Sequence, residues 1–170
     1  MTEPSLPIAQ IKNQWLSQQV DVKYPTPESL AGRELYLKHA NTCQYQVLNL
    51  DECVESSISP DDIFLVDFHR LTVMFSLLQS KRWTATEEQE LIVEFLTQII
   101  YSEPCELYLA FENGEPKAAA IVTCSEDQIL ISDVVVIEEQ SKQSKQQFAN
   151  ALINKLNVNI DEYSDVYLEI

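Results

Sequence analysis

Apolar and polar residues follow their most regular pattern between Cys105 and Leu156, and that stretch organises the reading of the whole chain. Three apolar runs, Glu106–Phe111, Pro116–Cys124 and Ile129–Ile137, are separated by the short polar tetrads E-N-G-E and S-E-D-Q. Runs of this length, rich in β-branched and aromatic residues and bounded by turn formers, predict a three-strand meander. Asn113-Gly114 is a strong hairpin signal, because both central positions of a type I′ turn need positive φ. A polar loop then leads into a helix whose core face is Phe148, Ala151, Leu152 and Leu156, with Ser144 and Gln147 as its capping box.

The same reading extends outward from this block. Ile8, Ile11, Trp15 and Leu16 share one face of a helix over Ile8–Val20, after a loose arm carrying Pro4 and Pro7. Thr26, Pro27 and Glu28 open a single helical turn that closes at Gly32. Glu34–His39 and Gln44–Leu50 read as two strands of a hairpin turning at Asn41 and Thr42, and Asp51–Asp62 is an acidic, serine-rich loop. Ile63–Phe68 is a short strand. Leu71, Met74, Phe75 and Leu78 form a helical stripe ending near Trp83. Thr86 with Gln89 forms a capping box for the next helix, whose apolar face runs through Leu91, Ile92, Phe95, Leu96, Ile99 and Ile100. Asp165–Ile170 alternates as a final strand. Residues 1–62 are thus a helix-and-hairpin segment and residues 63–170 a core, together one compact domain.

Composition narrows the functions. The 170 residues hold 27 Asp and Glu against 11 Lys and Arg, a net charge of −16. Nucleic acid and anionic membrane surfaces both demand a basic face, so neither is an expected partner. A basic protein partner, or plain solubility in a cytoplasmic setting, suits the charge. The N-terminus has no apolar leader pattern and no run approaches a membrane span. Cys43, Cys53, Cys105 and Cys124 form no C-x-x-C pair and read as reduced, buried thiols. With only two glycines, Gly32 and Gly114, glycine-rich phosphate loops are excluded.

From Ile63 onward the order is strand, two helices, three-strand antiparallel meander, helix, strand. This order resembles the GCN5-related N-acetyltransferase (GNAT) fold, an α/β (α+β) architecture with a mixed, mostly antiparallel sheet flanked by helices. In that family the fourth strand enters a loop V-x-P-x-x-R-G-x-G-x-G, and the segment D-V-V-V-I-E-E-Q-S-K-Q-S-K-Q-Q-F from Asp133 lies along it without a gap. The resemblance implies that acetyl-CoA or CoA places its pyrophosphate at Val136, Gln140, Ser141, Lys142, Ser144, Lys145 and Gln146, where backbone N–H groups and the helix N-terminus favour an anion. The loop departs from the family. Ser141 stands at the arginine, and Lys142, Ser144 and Gln146 stand at the three glycines, so side chains crowd the approach to the backbone, while Lys142 and Lys145 offer point charges in exchange.

The family continues past its fifth strand into a helix and a last hairpin, and residues 8–50 read as helix, strand, strand. Two arrangements follow: the N-terminal segment completes the same sheet as in a circular permutation, or it crosses to a second copy in a homodimer. The two joined edges are roughly 29 Å apart at about 4.8 Å per strand, and the twelve residues from Asp51 stretch to about 40 Å.

No catalytic residue stands out. Asp67 and His69 alternate on one strand and could act as base or ligand, but no third partner accompanies them. His39 has no partner in sequence, and two histidines without metal-ligand spacing argue against a zinc site or any other metal. Cys105 and Cys124 lack a cationic neighbour that would make a thiolate. Glu106 and Asp133 lie where the family sometimes places a base, and Tyr163 or Tyr167 where its general-acid tyrosine falls. Trp15 and Trp83 read as core anchors. Three functions remain: a diverged acetyltransferase acting on a small-molecule or protein amine, a non-catalytic acidic binding or regulatory protein that keeps the fold, and an acidic inhibitor of unrelated fold.

Overall fold

The computed structural model describes residues 6–48, 58–100, 103–137, 141–156, 163 and 165–170, and for Lys142 the backbone alone. The elements are α1 (Pro7–Ser17, continued by a 3-10 turn Gln18–Val20), α2 (Pro27–Ala40), β1 (Tyr45–Val47), and β2 (Ile63–Leu65) after a 3-10 turn Pro60–Asp62. Then follow α3 (His69–Ser80), α4 (Thr86–Leu96), β3 (Cys105–Glu112), β4 (Glu115–Ser125), β5 (Gln128–Val136), α5 (Lys142–Leu156) and β6 (Asp165–Glu169). Among the described residues six strands form one sheet in the order β1-β6-β5-β4-β3-β2. Every neighbouring pair is antiparallel except β5 with β6. The protein is α+β, a mixed and mostly antiparallel sheet flanked by helices.

The central strands are apolar on both faces because both are covered. On β3, Tyr108 and Ala110 face one core together with Phe148, Ala149 and Leu152 of α5. Leu107 and Leu109 face the other, with Trp15, Tyr36, Phe75, Ile92 and Phe95 of the first four helices. Asn113 (φ 54°) and Gly114 (φ 80°) make the tight turn that the Asn-Gly pair predicts.

The N-terminal segment departs from the expected hairpin. Glu34–His39 is the second half of α2, which runs on past Gly32 to Ala40. The buried positions Ser29, Gly32, Tyr36 and Ala40 are mostly small and so present no large apolar stripe, while Leu35 and Leu37 alternate with polar neighbours as in a strand. Gly32 does not end the helix. A Cβ there would lie 2.1 Å from the Leu91 carbonyl oxygen and 2.7 Å from Phe95 Cβ, so its lack of a side chain lets α2 cross α4 closely. Thr26 does cap α2, its side chain accepting from Ser29 N–H. Of the second expected strand, Gln44–Leu50, the described part holds the strand Tyr45–Val47, which pairs antiparallel with Tyr167–Glu169 of β6, while residues 49–50 lie outside the described residues.

Two capping boxes also differ. α4 begins at Thr86 with Ala85 as N-cap, and Gln89 donates instead to the Trp83 carbonyl at 2.7 Å. α5 is capped one turn earlier than expected, by Ser141, whose Oγ accepts from Ser144 N–H at 3.1 Å. Among the described residues no helix is long and apolar enough to cross a membrane.

Candidate anion-binding site

The site originates in one irregularity of β5. Against β4, Ala119 faces Val135 and Ile121 faces Ser132, so Asp133 and Val134 together oppose Ala120. This is a β-bulge, with Asp133 in the left-handed region at φ 54°. Asp tolerates that conformation better than most residues. The extra residue changes the parity of the strand: Ile129 and Ile131 face the α5 core before it, Val134 and Val136 after it. Strict alternation would have sent the Asp133 carboxylate into that apolar core. The bulge turns it toward the helices on the opposite face.

There it meets donors from three helical regions. Oδ1 accepts from Tyr36 Oη at 2.8 Å and from Arg82 at 2.9 Å. Oδ2 accepts from Ser132 Oγ at 2.8 Å and lies 3.1 Å from Lys12 Nζ. The Asp133 carbonyl accepts from Gln79 at 2.5 Å, and its N–H donates to Glu169 Oε1 at 3.3 Å. Glu169 in turn lies 3.5 Å from Arg82. Lys12 also donates to Tyr36 Oη, and its side chain is only 1% exposed. A charge so buried persists only when paired and hydrogen-bonded. Burial opposes ionisation of Asp133, but Lys12 and Arg82 outweigh it and hold the carboxyl well below its usual range. Burial likewise works against Arg82, and Asp133 with Glu169 more than restores its charge.

Short of the bulge, β5 pairs in parallel with β6, which ends at Glu169. Their parallel register runs from Gln128↔Asp165 to Ile131↔Leu168 and stops. Beside the end of β6 opens a cleft of about 370 Å³ lined by His39, Thr42, Cys43, Lys81, Arg82, Val134, Lys145, Glu169 and Ile170. The charge cluster is therefore its floor, through Arg82 and Glu169. Among the described residues its charged lining is Lys81, Arg82 and Lys145 with the carboxylate of Glu169, in a protein that carries a net −16. The His39 ring lies 5.1 Å from that of Trp83, tilted by 56°, and burial, then the Arg82 charge, lowers its pKa and favours the neutral imidazole. Burial, then Glu169, pushes the Cys43 thiol up to about 12, so it is no thiolate. Among the described residues the cleft offers Lys81 and Lys145, the Arg82–Glu169 ion pair, an imidazole and a thiol.

The expected loop residues are only partly gathered here. Lys145 lines the cleft. Val136 is buried in the α5 core, Ser141 is the cap of α5, Ser144 is buried, and Gln146 is half-buried on α5. Gln140 lies outside the described residues, as does the side chain of Lys142. The backbone cradle for a pyrophosphate fits poorly, because Ser141 Oγ already takes the Ser144 N–H that an anion would need. The side-chain cations of the cleft fit an anion well.

The remaining candidates scatter. Asp67 follows β2 and His69 starts α3, so the two do not share a strand as expected; both are exposed and line another cavity. Cys105 is buried against Thr123, but Cys124 is exposed, contrary to the expectation of a core thiol, because its position on β4 lies near the open end of the sheet. Cys53 lies outside the described residues. Glu106 is exposed and accepts from Tyr108 Oη at 2.6 Å. Tyr163 packs on the α5 core, and Tyr167 sits with Ile8 and Leu130. Trp15 and Trp83 anchor the helical core.

Lys12, Tyr36, Arg82 and Glu169 were not legible as a site, although two signals existed. Lys12 interrupts the apolar face between Ile8 and Leu16, and Asp133 interrupts an apolar strand. Each position, once buried, requires an opposite charge.

No family model matches the chain, and no curated protein matches it either. Among solved structures it is similar to a conserved protein of unknown function from Staphylococcus epidermidis ATCC 12228, with TM-score 0.46 and 14% identity over 87% of this chain. It is also similar to a protein assigned to the GNAT acetyltransferase family from Novosphingobium aromaticivorans DSM 12444, with TM-score 0.38 and 13% identity over 74% of this chain. The chain spans 58% and 54% of the length of those two proteins. Neither likeness carries a ligand or an activity across to this chain.

Proposed function

We propose that the protein binds a small phosphate-bearing anion, of the CoA type, in the cleft beside the end of β6, and that it does so as a binding or regulatory protein. The observation that carries this reading is the convergence of Lys81 and Lys145, beside the Arg82–Glu169 pair, on one cleft in so acidic a chain. In a partly enclosed cleft such charges act in a lower dielectric and attract an anion that the rest of the surface repels. Lys145 on the first turn of α5 adds to the field of that helix end. Binding without catalysis is favoured because the bulge's backbone groups are already paired with Gln79 and Glu169, and Ser144 N–H with Ser141. An extended ligand laid between the strands finds no free backbone partner at Asp133.

Acyl transfer from acetyl-CoA to an amine is the second reading. One observation favours it: His39 lines the cleft, burial favours its neutral form, and a neutral imidazole can accept a proton from an amine. CoA when bound would supply the activated thioester. The chain's own contribution would be the cations that hold the phosphates and the imidazole that takes the proton.

Calorimetry with CoA, acetyl-CoA and inorganic pyrophosphate separates these readings, with Lys81→Glu and Lys145→Glu as site variants and a thiol-release assay run beside it. Saturable binding that both variants weaken supports the anion site. Absence of binding at millimolar ligand sinks it. Release of CoA thiol dependent on an added amine and on His39 replaces the non-catalytic reading with the enzymatic one.

A further inference from the structure

α4 buries Ile92, Phe95 and Leu96 and turns a different row of residues outward. Glu87, Glu90 and Glu94 recur along that row, and with Glu28 of α2 and Leu77 of α3 they line a cleft of about 850 Å³. Steps of three and four residues return to one helix face, so the three carboxylates run along about 10 Å of α4.

Two features set this cleft apart from an ordinary solvated acidic face. Its charge is uncompensated. Among the described residues no Lys, Arg or His lines it, and none of its four glutamates makes an ion pair. The residues four beyond Glu87, Glu90 and Glu94 are Leu91, Glu94 and Gln98, so α4 supplies no lysine of its own. Like charges at this spacing repel, and a cation brought alongside relieves that repulsion. The cleft also has apolar surface to offer. Leu77 is 51% exposed, and Leu91 and Val93 beside it are half-buried. Covering the exposed half of Leu77 is favourable in proportion to the area removed from water.

We propose that this cleft docks an amphipathic basic helix of a protein partner. Lys and Arg side chains lie along Glu87, Glu90 and Glu94, and an aliphatic side chain covers Leu77 and Val93. Charge complementarity identifies the occupant. A second copy of this chain, also at −16, brings like charge to the cleft. Periodicity selects a helix. Side chains on one helix face recur about every 5.4 Å, close to the roughly 4.5–6 Å steps between the carboxylates, whereas one face of a strand recurs about every 6.7 Å. Basic side chains at i, i+3 or i+4, and i+7 therefore match the acidic row, as in helix-in-groove recognition. This assignment does not depend on the ligand of the cationic cleft.

The probe is a synthetic peptide of about 14 residues, roughly four helical turns, made of Leu and Lys with the leucines on one helical face. Its control keeps the length, composition and charge but alternates Leu and Lys, the pattern of a strand. Calorimetry is run at about 0.15 M salt, which screens loose attraction to the net charge. The helical peptide is expected to bind saturably and at least about tenfold more tightly than the alternating one. Glu87→Gln with Glu90→Gln and Glu94→Gln should weaken it about tenfold, the worth of three exposed ion pairs. Asp61→Asn with Asp62→Asn and Glu115→Gln removes the same charge from exposed positions outside the cleft, and should weaken it less than about twofold. Leu77→Ser, at an exposed position, should weaken it about fivefold. Lack of saturable binding, equal affinity for the two peptides, equal losses from the two triple variants, or full binding by Leu77→Ser overturns the assignment. A dimer of the free protein that the helical peptide dissociates also overturns it, by giving the cleft to a second copy.

Discussion

Lys12 Nζ and Asp133 Oδ2 lie 3.1 Å apart, with side chains 1% and 2% exposed, and so join the first helix to the fifth strand through a buried ion pair. The pair is not isolated, since Arg82 and Tyr36 hold the other carboxylate oxygen. Removing Asp133 leaves two buried cations with only Glu169 to compensate, and Asp133→Ala should cost about 3–5 kcal/mol. Lys12→Met should cost less, because the carboxylate keeps its other donors. The double variant should cost less than the sum of the singles, as contacting residues do. Urea denaturation of the four proteins measures this cycle; strict additivity would mean the pair does not interact.

The same carboxylate gives the protein an acid limit. Asp133 in the folded state sits below its ordinary 3.8, so its contribution is fully present above that value and drains away as pH falls toward the folded pKa. The stability gap between wild type and Asp133→Asn should therefore be constant from about pH 7 to 5 and narrow between about pH 4 and 2. Urea midpoints across that range decide it. A gap that stays constant down to pH 2 would contradict the paired state of Asp133.

At Gly32 two effects oppose each other. Alanine is the better helix former by about 1 kcal/mol, but its Cβ would meet the Leu91 carbonyl oxygen at 2.1 Å, and that backbone atom cannot swing aside. Overpacking at such a site costs roughly 1–3 kcal/mol, so Gly32→Ala should be destabilised in thermal unfolding, whereas exposed Glu34→Ala should not.

His39 links the cationic cleft to pH. Its imidazole should titrate below 6.5 by NMR, because burial and Arg82 disfavour the charged form. An anion bound beside it favours that form, so pyrophosphate should raise the midpoint, and pyrophosphate affinity should grow as pH falls from about 7 to 6. An unshifted midpoint at saturating pyrophosphate would place the anion elsewhere.

The core was legible where side-chain pattern and backbone state agree. The meander shows in the sequence because apolar runs covered on both faces alternate with turns that only Asn-Gly or polar tetrads make. α2 was misread because a helix packed tightly against another uses small residues, and small residues leave no stripe. The caps were misplaced by up to one turn, since Ser141 and Ser144 are equivalent in composition and only the hydrogen-bond geometry chooses between them. Of the cleft's cations, only Lys145 had been singled out from the sequence. Lys81, Arg82 and His39 reach it from the ends of helices far apart in sequence, and no local signal reports such convergence.

The pairing of β1 with β6 has a consequence for biosynthesis. Among the described residues β1 has no other strand partner, so Tyr45–Val47 must remain unpaired until Tyr167–Glu169 has been made. At about 5–20 residues per second, the roughly 120 residues between them take on the order of ten seconds to translate. Throughout that interval a nascent chain holds an edge strand without its neighbour, and Glu169, the residue opposite Tyr45, is also the one that meets the Asp133 N–H. Synthesis of Tyr167–Glu169, rather than any local helix or turn, therefore sets the earliest moment at which β1 can join the sheet.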